Sequence, residues 1–139
     1  MAVAVAITSI VAADPSVGLD RTRTRQIVEG TLTLSANYGT GSSHGDTVNF
    51  GQFDQIKSDY PPVWVEIKED QGAGAAPLGF KYNYATGTTQ ANGVLQITGG
   101  AAGSGQGGTE ITEGGAYSGT TPSLNGAVLR FRAAFAWGV

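Results

Sequence analysis

Three groups of residues in this chain have types and spacings that could do chemistry. Gly103, Gly105 and Gly108 satisfy G-x-G-x-x-G, the loop that lets a backbone approach a pyrophosphate. That function needs a strand before the loop, a helix after it and an acidic residue about twenty positions further on. Here the loop is followed by Thr109-Glu110-Ile111-Thr112, a strand pattern, so no dinucleotide site is expected. His44 is the sole histidine and stands among Ser42, Ser43 and Asp46. A Ser-His-Asp triad requires side chains that converge in space, whereas neighbours in one turn point apart. A zinc site would call for further His or Cys ligands, and the chain has none. His44 therefore reads as a loop histidine facing water.

The third group is acidic: Glu66, Glu69 and Asp70, with Asp54 and Asp59 nearby. Paired carboxylates can be the acid and base of a glycosidase, or oxygen ligands for calcium. Glu66, however, alternates with Val65 and Ile67, as a solvent-facing strand residue does. No catalytic, metal or cofactor site is expected from these residues. Large aromatics remain: Trp64, Phe80, Tyr82, Tyr84, Phe131, Phe135 and Trp137. An exposed aromatic row can bind sugars or stack bases. More often such rings fill a core, because each buries a large apolar area. Phe80 and Phe131 are assigned to the core, while Trp64, Tyr82 and Tyr84 are the candidates for exposure and partner contact.

The elements that must position these residues are strands. Leu32, Leu34, Ala36 and Tyr38 share one face of residues 22–38, and Thr31, Thr33, Ser35 and Asn37 the other. Gly30 within that run predicts a bulge or sharp bend. Residues 38–46 are turn chemistry throughout, and Thr47–Phe50 restarts a short strand. Pro61-Pro62 cannot donate to a ladder, so they belong just before a strand over Val63–Glu69. Phe80, Tyr82 and Tyr84, with Leu78, line one face of the next strand, and Val94–Thr98 returns. Residues 99–108 are dominated by glycine and are expected to be an exposed, mobile loop. Leu129, Phe131, Ala133 and Phe135 oppose Val128, Arg130, Arg132 and Ala134 in the last strand. About eight antiparallel strands at this spacing predict an all-β single domain, a jelly roll or β-sandwich. Residues 1–20 read as an extended N-terminal arm and 21–139 as the β-domain.

Composition agrees with this outline. The 139 residues include 22 glycines, no cysteine and 14 % charged residues, with a net charge of −3. The absence of cysteine removes disulfides, thiolate metal sites and thiol catalysis. So little positive charge would release few counterions from a nucleic-acid backbone, and direct nucleic-acid binding is not expected. No apolar run approaches the roughly eighteen residues that cross a bilayer, so no membrane partner is expected. The apolar N-terminus has no basic segment before it, and its Val and Ile content fits a β-segment better than a signal peptide.

An ordered series of phrases carries a more specific signal. It begins with Gly30-Thr31-Leu32-Thr33-Leu34-Ser35, Tyr38, Gly41 and Asp46-Thr47-Val48-Asn49-Phe50. It continues through Pro61-Pro62-Val63-Trp64-Val65-Glu66-Ile67, Tyr82-Asn83-Tyr84 and Gly87-Thr88-Thr89-Gln90-Ala91-Asn92-Gly93. Gly114-Gly115-Ala116-Tyr117 and Leu129-Arg130-Phe131-Arg132-Ala133-Ala134-Phe135 complete it. Over about residues 27 to 137 the chain resembles the capsid decoration, or cement, proteins of tailed bacteriophages. The resemblance implies a jelly-roll-like domain in the virion, on the exterior of an icosahedral shell. There it would bind the major capsid protein as a homodimer and clamp adjacent subunits, with assembly in the host cytoplasm. It carries over no catalytic residues, and the chain departs from the pattern by a longer Gly-rich insert at 99–108.

Two sets of contacts are expected on this reading. Residues 2–13, if extended, span on the order of 40 Å. That is enough for Val3, Val5, Ile7 and Ile10 to engage a dimer mate or the shell by strand addition. Arg21, Arg23 and Arg25, spaced two apart, share one strand face and suit an acidic partner surface, a contact that salt would weaken. The alternative is a carbohydrate- or receptor-binding β-sandwich of a phage particle, with Trp64, Tyr82 and Tyr84 forming a platform.

Overall fold

The computed structural model describes residues 3–13, 24–39, 45–56, 58–70, 78–99, 110–111, 114–120 and 122–137. Seven strands form two antiparallel sheets: β1 (Val3–Ala13), β2 (Thr24–Leu34), β3 (Asp46–Val48), β4 (Trp64–Glu69), β5 (Phe80–Ala85), β6 (Gly93–Gly99) and β7 (Val128–Trp137). One sheet has the order β1-β2-β7-β4 and the other β3-β6-β5. β2 pairs with β7 and β3 with β6, while β4 and β5 meet across the gap between the sheets. This nesting of early strands with late ones is the wrap of a jelly roll.

Period-2 alternation decides which side chains meet between the sheets. Val28, Leu32 and Leu34 of β2 and Leu129, Phe131, Ala133 and Phe135 of β7 are buried. Leu95 and Ile97 of β6, Val48 and Phe80 meet them from the second sheet. Phe50 sits on a 3-10 turn, Phe50–Gln52, whose cap residue Asn49 accepts the Gly51 N–H at 2.8 Å. Its ring lies 5.2 Å from Phe131, 5.4 Å from Phe135 and 6.0 Å from Tyr84. These centroid distances are those of favourable tilted and edge-on ring pairs.

The alternation fails at two expected places. Alternation puts Ala36 on one face with the buried Leu34, but it is exposed with φ 60. β2 stops at Leu34, whose N–H and C=O close a ladder with Ala127 and Gly126, and the chain then turns through Ala36. Ala134 lies on the outer face of β7, yet it is fully buried. It stands in register between Ile27 of β2 and Trp64 of β4, and two large neighbours cover a single methyl. The strand expected around Thr109–Thr112 is reduced, among the described residues, to one bridge between Glu110 and Thr98.

The irregularity predicted at Gly30 is present. The β1–β2 register shifts between Ile7 and Ser9, opposite Gly30 and Glu29. A Cβ at Gly30 would collide with the Ala6 carbonyl oxygen and come within 2.8 Å of the Phe131 ring. Glycine is required because the Phe131 ring and the neighbouring backbone both occupy that space. The segment expected as an N-terminal arm thus contributes, over Val3–Ala13, a ten-pair antiparallel ladder with β2.

Candidate interaction surface

Among the described residues, the outer face of the four-stranded sheet gathers most of the exposed charge. Register sets it out in rows across β2, β7 and β4. One row is Glu29, Arg132 and Glu66, and the next is Thr31, Arg130 and Lys68. Arg132 pairs with Glu29 at 3.1 Å and Arg130 with Asp70 at 3.2 Å. Glu66 and Lys68 are exposed and make no ion pair with any described residue. These side chains border a shallow depression of about 550 Å³. Arg130 and Arg132 are thus solvated strand residues, as their spacing suggests, and each is held by a carboxylate on a neighbouring strand or just past its end. Exposed pairs of this kind contribute little stability. Their consequence is a face with alternating charges held in fixed positions.

Large apolar side chains are exposed around the start of β4. Tyr60 is 64 % exposed, Val63 49 % and Trp64 37 %. Trp64 stands on the outer face opposite Ala134, and the Val63 N–H is bonded to the Ala134 carbonyl at 2.7 Å. Tyr60 and Val63 were not singled out from the sequence, since a tyrosine and a valine beside two prolines carry no spacing signal. Arg25 is exposed on the same face, opposite Ala136. Arg21 and Arg23 lie outside the described residues, as do His44 and residues 100–109 of the Gly-rich loop.

The three aromatics proposed as a platform are not brought together. Trp64 points outward from the larger sheet, whereas Tyr82 and Tyr84 point inward from β5 and pack against the core. Tyr82 donates its hydroxyl to Glu69 Oε1 at 3.0 Å. Burial first, then this hydrogen bond and the Glu69 charge, raise its pKa well above the usual tyrosine value. The Tyr84 hydroxyl is buried without a hydrogen-bond partner, directly over Gly93, and burial pushes its pKa up to about 12. The acidic group likewise disperses. Glu66 faces solvent, Asp70 holds Arg130, and Glu69 turns inward to accept the Leu78 N–H at 2.9 Å as well as Tyr82. Glu69 therefore clasps β4 to β5.

Of the N-terminal apolar residues, Val3 is 1 % exposed and belongs to the chain's own core. Val5, Ile7 and Ile10 are only half-buried against it.

A buried polar cluster was not legible in the sequence. Asp46 accepts the Gly39 N–H at 2.7 Å and the Tyr117 hydroxyl. The Tyr38 hydroxyl donates to Glu110 at 2.5 Å and accepts the Ile97 N–H at 3.2 Å. The Tyr38 and Tyr117 rings meet edge-on at 6.0 Å. Asp46 and Tyr117 are 71 positions apart, so no local pattern could have linked them. These bonds tie Glu110 and Tyr117 to Tyr38 and Asp46 rather than offering a reactive group. Among the described residues no group of three or more His, Cys, Asp or Glu could hold a metal ion. Among the described residues no helix is long and apolar enough to cross a membrane.

Compared with known proteins, the chain matches no family model, no curated protein and no solved structure.

Proposed function

We propose that the protein is a non-enzymatic structural component of a phage particle. It binds the exterior of the icosahedral capsid as a homodimer and cements adjacent major capsid subunits. The observation that carries this reading is the outer face of the β1-β2-β7-β4 sheet, taken with the ordered sequence resemblance. That face is broad, backed by a closed aromatic core, and presents alternating charge together with the exposed Trp64.

The physical roles follow from that layout. A cementing protein must be stiff, so that binding energy opposes separation of the subunits it bridges, and two packed sheets supply stiffness. Exposed ion pairs can exchange partners at small cost, which gives register on a complementary surface more than raw affinity. Desolvating the exposed Trp64 supplies the anchor. The dispersal of Trp64, Tyr82 and Tyr84 over two sheets gives the carbohydrate alternative no platform built from those three.

The test is co-sedimentation of the purified protein with phage heads stripped of it, followed by cryo-electron microscopy at modest resolution. Bound density bridging capsid subunits on the outer surface is expected. Retention should fall with added salt and by roughly tenfold or more in a Trp64→Ala variant. A wild-type protein that stays in the supernatant at low salt overturns the proposal.

A further inference from the structure

The four edge strands of the sandwich are not alike. β4 carries Glu66, Lys68 and Glu69 and follows two prolines. β5 carries Lys81, and β3 is three residues long. Charge, proline and shortness are the usual means by which an edge avoids pairing with another chain. β1 has none of them. It is eleven residues of Val-Ala-Val-Ala-Ile-Thr-Ser-Ile-Val-Ala-Ala, and among the described residues it is paired on one side only, with β2.

Its inner face is also incompletely covered. Val3 lies over the short strand β3 and is sealed. Farther along, the loop carrying Phe50 and Ile56 closes over β2 and β7, where Val28 and Phe135 are fully buried and Gln26 bonds the Gln55 carbonyl at 2.5 Å. Ile7 and Ile10 of β1 pack against this core from its edge and are only partly buried. The outward residues Ala4, Ala6, Thr8 and Ser9 are small and uncharged. An unpaired ladder thus coincides with half-covered isoleucines and the absence of any charge that would repel a copy of itself.

We propose that β1 is the self-association seam, pairing antiparallel with β1 of a second copy across a two-fold axis to make one continuous eight-stranded sheet. The bulge fixes the register. The inward residues are Val3, Val5 and Ile7 before the bulge, and after it Ile10, which pairs with buried Val28. A two-fold between Thr8 and Ser9 is the longest arrangement that keeps inward residues opposite inward ones. It sets Ile7 of each copy against Ile10 of the other and covers both. Isologous contacts of this kind are the commonest route to a closed dimer. The seam gives a geometry to the homodimer of the shell-binding reading, yet it forms off the shell. Failure of the seam and failure to bind heads are therefore separate results.

The test uses the full chain in solution. Sedimentation equilibrium at micromolar concentration is expected to give a dimer. Amide exchange in residues 3–13 should slow by roughly tenfold or more between dilute and concentrated protein, because pairing protects the free side of the ladder. Ile7→Glu alone and Ile10→Lys alone should each be monomeric, and mixing the two should restore dimers through the opposed positions. A wild-type monomer, or a dimer whose β1 exchange is independent of concentration, overturns the seam. So do folded single variants that remain dimeric. If either variant fails to fold, wild-type exchange alone decides. Folded monomeric variants that do not pair when mixed overturn the Ile7–Ile10 register.

Discussion

The two edges of the larger sheet solve the same problem by different means. At the β4 edge, polar side chains do the fastening. Glu69 reaches across to the Leu78 N–H and the Tyr82 hydroxyl, while Glu66 and Lys68 keep the outer side wet. At the β1 edge, attachment is a backbone ladder plus apolar contact, made possible by the missing side chain at Gly30. The first edge is finished within one chain. The second, among the described residues, is paired on one side only, and its two isoleucines are only partly buried. Charge on a strand and the layer beneath it, rather than strand length alone, separate a closed edge from an open one.

The largest expected effect comes from breaking the β1 attachment. Gly30→Val would drive a side chain into the Ala6 carbonyl and the Phe131 ring, costing about 3 kcal/mol. Thermal melts should show a Tm lower by about 10 °C. Amide exchange should rise first in residues 3–13. Equal loss of protection in β4 would mean that the two edges are not independently fastened. Removing residues 1–13 outright is a poorer test of partner binding, since it also takes Val3 out of the core and strips β2 of its ladder.

Next comes the polar clasp. Glu69→Ala leaves the Leu78 N–H and the Tyr82 hydroxyl without their acceptor and should cost about 2 kcal/mol in chemical denaturation. It should also lower the pKa of Tyr82, read by ultraviolet titration, because two of the three causes that raise it disappear. An unchanged Tyr82 titration would mean that the clasp does not hold the phenol.

Alkaline pH sharpens the same contrast. Tyr82 and Tyr84 have folded pKa values raised above the ordinary 10.0. Their contribution is fully present below about pH 10 and is lost as pH rises through the folded values, because the unfolded chain releases those protons first. Stability should therefore be flat in these groups up to about pH 10 and fall between there and pH 12. Tyr84→Phe should make that fall shallower and leave neutral-pH stability unchanged or slightly higher, since it removes a buried hydroxyl with no partner. Marked destabilisation at neutral pH would contradict this.

The smallest effect belongs to the outer face. Arg132→Ala breaks an exposed pair with Glu29 and should cost less than about 1 kcal/mol in urea unfolding. Its larger consequence would appear in retention on phage heads. A large loss of stability instead would make the outer charges part of the scaffold.

Much of the scaffold was legible along the chain because strand packing writes itself in period 2. Leu32 and Leu34, Phe80, and the Leu129–Phe135 face all lie where alternation placed them. Gly30 announced a distortion, and Glu66 announced its exposure by its neighbours. Alternation failed at Ala36, where the chain had already turned, and at Ala134, where neighbours on other strands did the covering. The interaction surface was only partly legible. Spacing put Arg130 and Arg132 on one face but could not supply Glu29 and Asp70 as their partners. Nor could it show that Trp64 and Tyr82 belong to different sheets.

By itself the sequence determined an all-β chain with its core faces, its turns and an uncharged apolar first strand, because these are local consequences of side-chain size, polarity and backbone freedom. Only the tertiary structure decided which strands are neighbours and what closes over each apolar face. It joined Asp46 to Tyr117 and Glu69 to Tyr82, and it left Ile7 and Ile10 only partly buried. Those outcomes depend on contacts between residues far apart in the chain, and no local period encodes them.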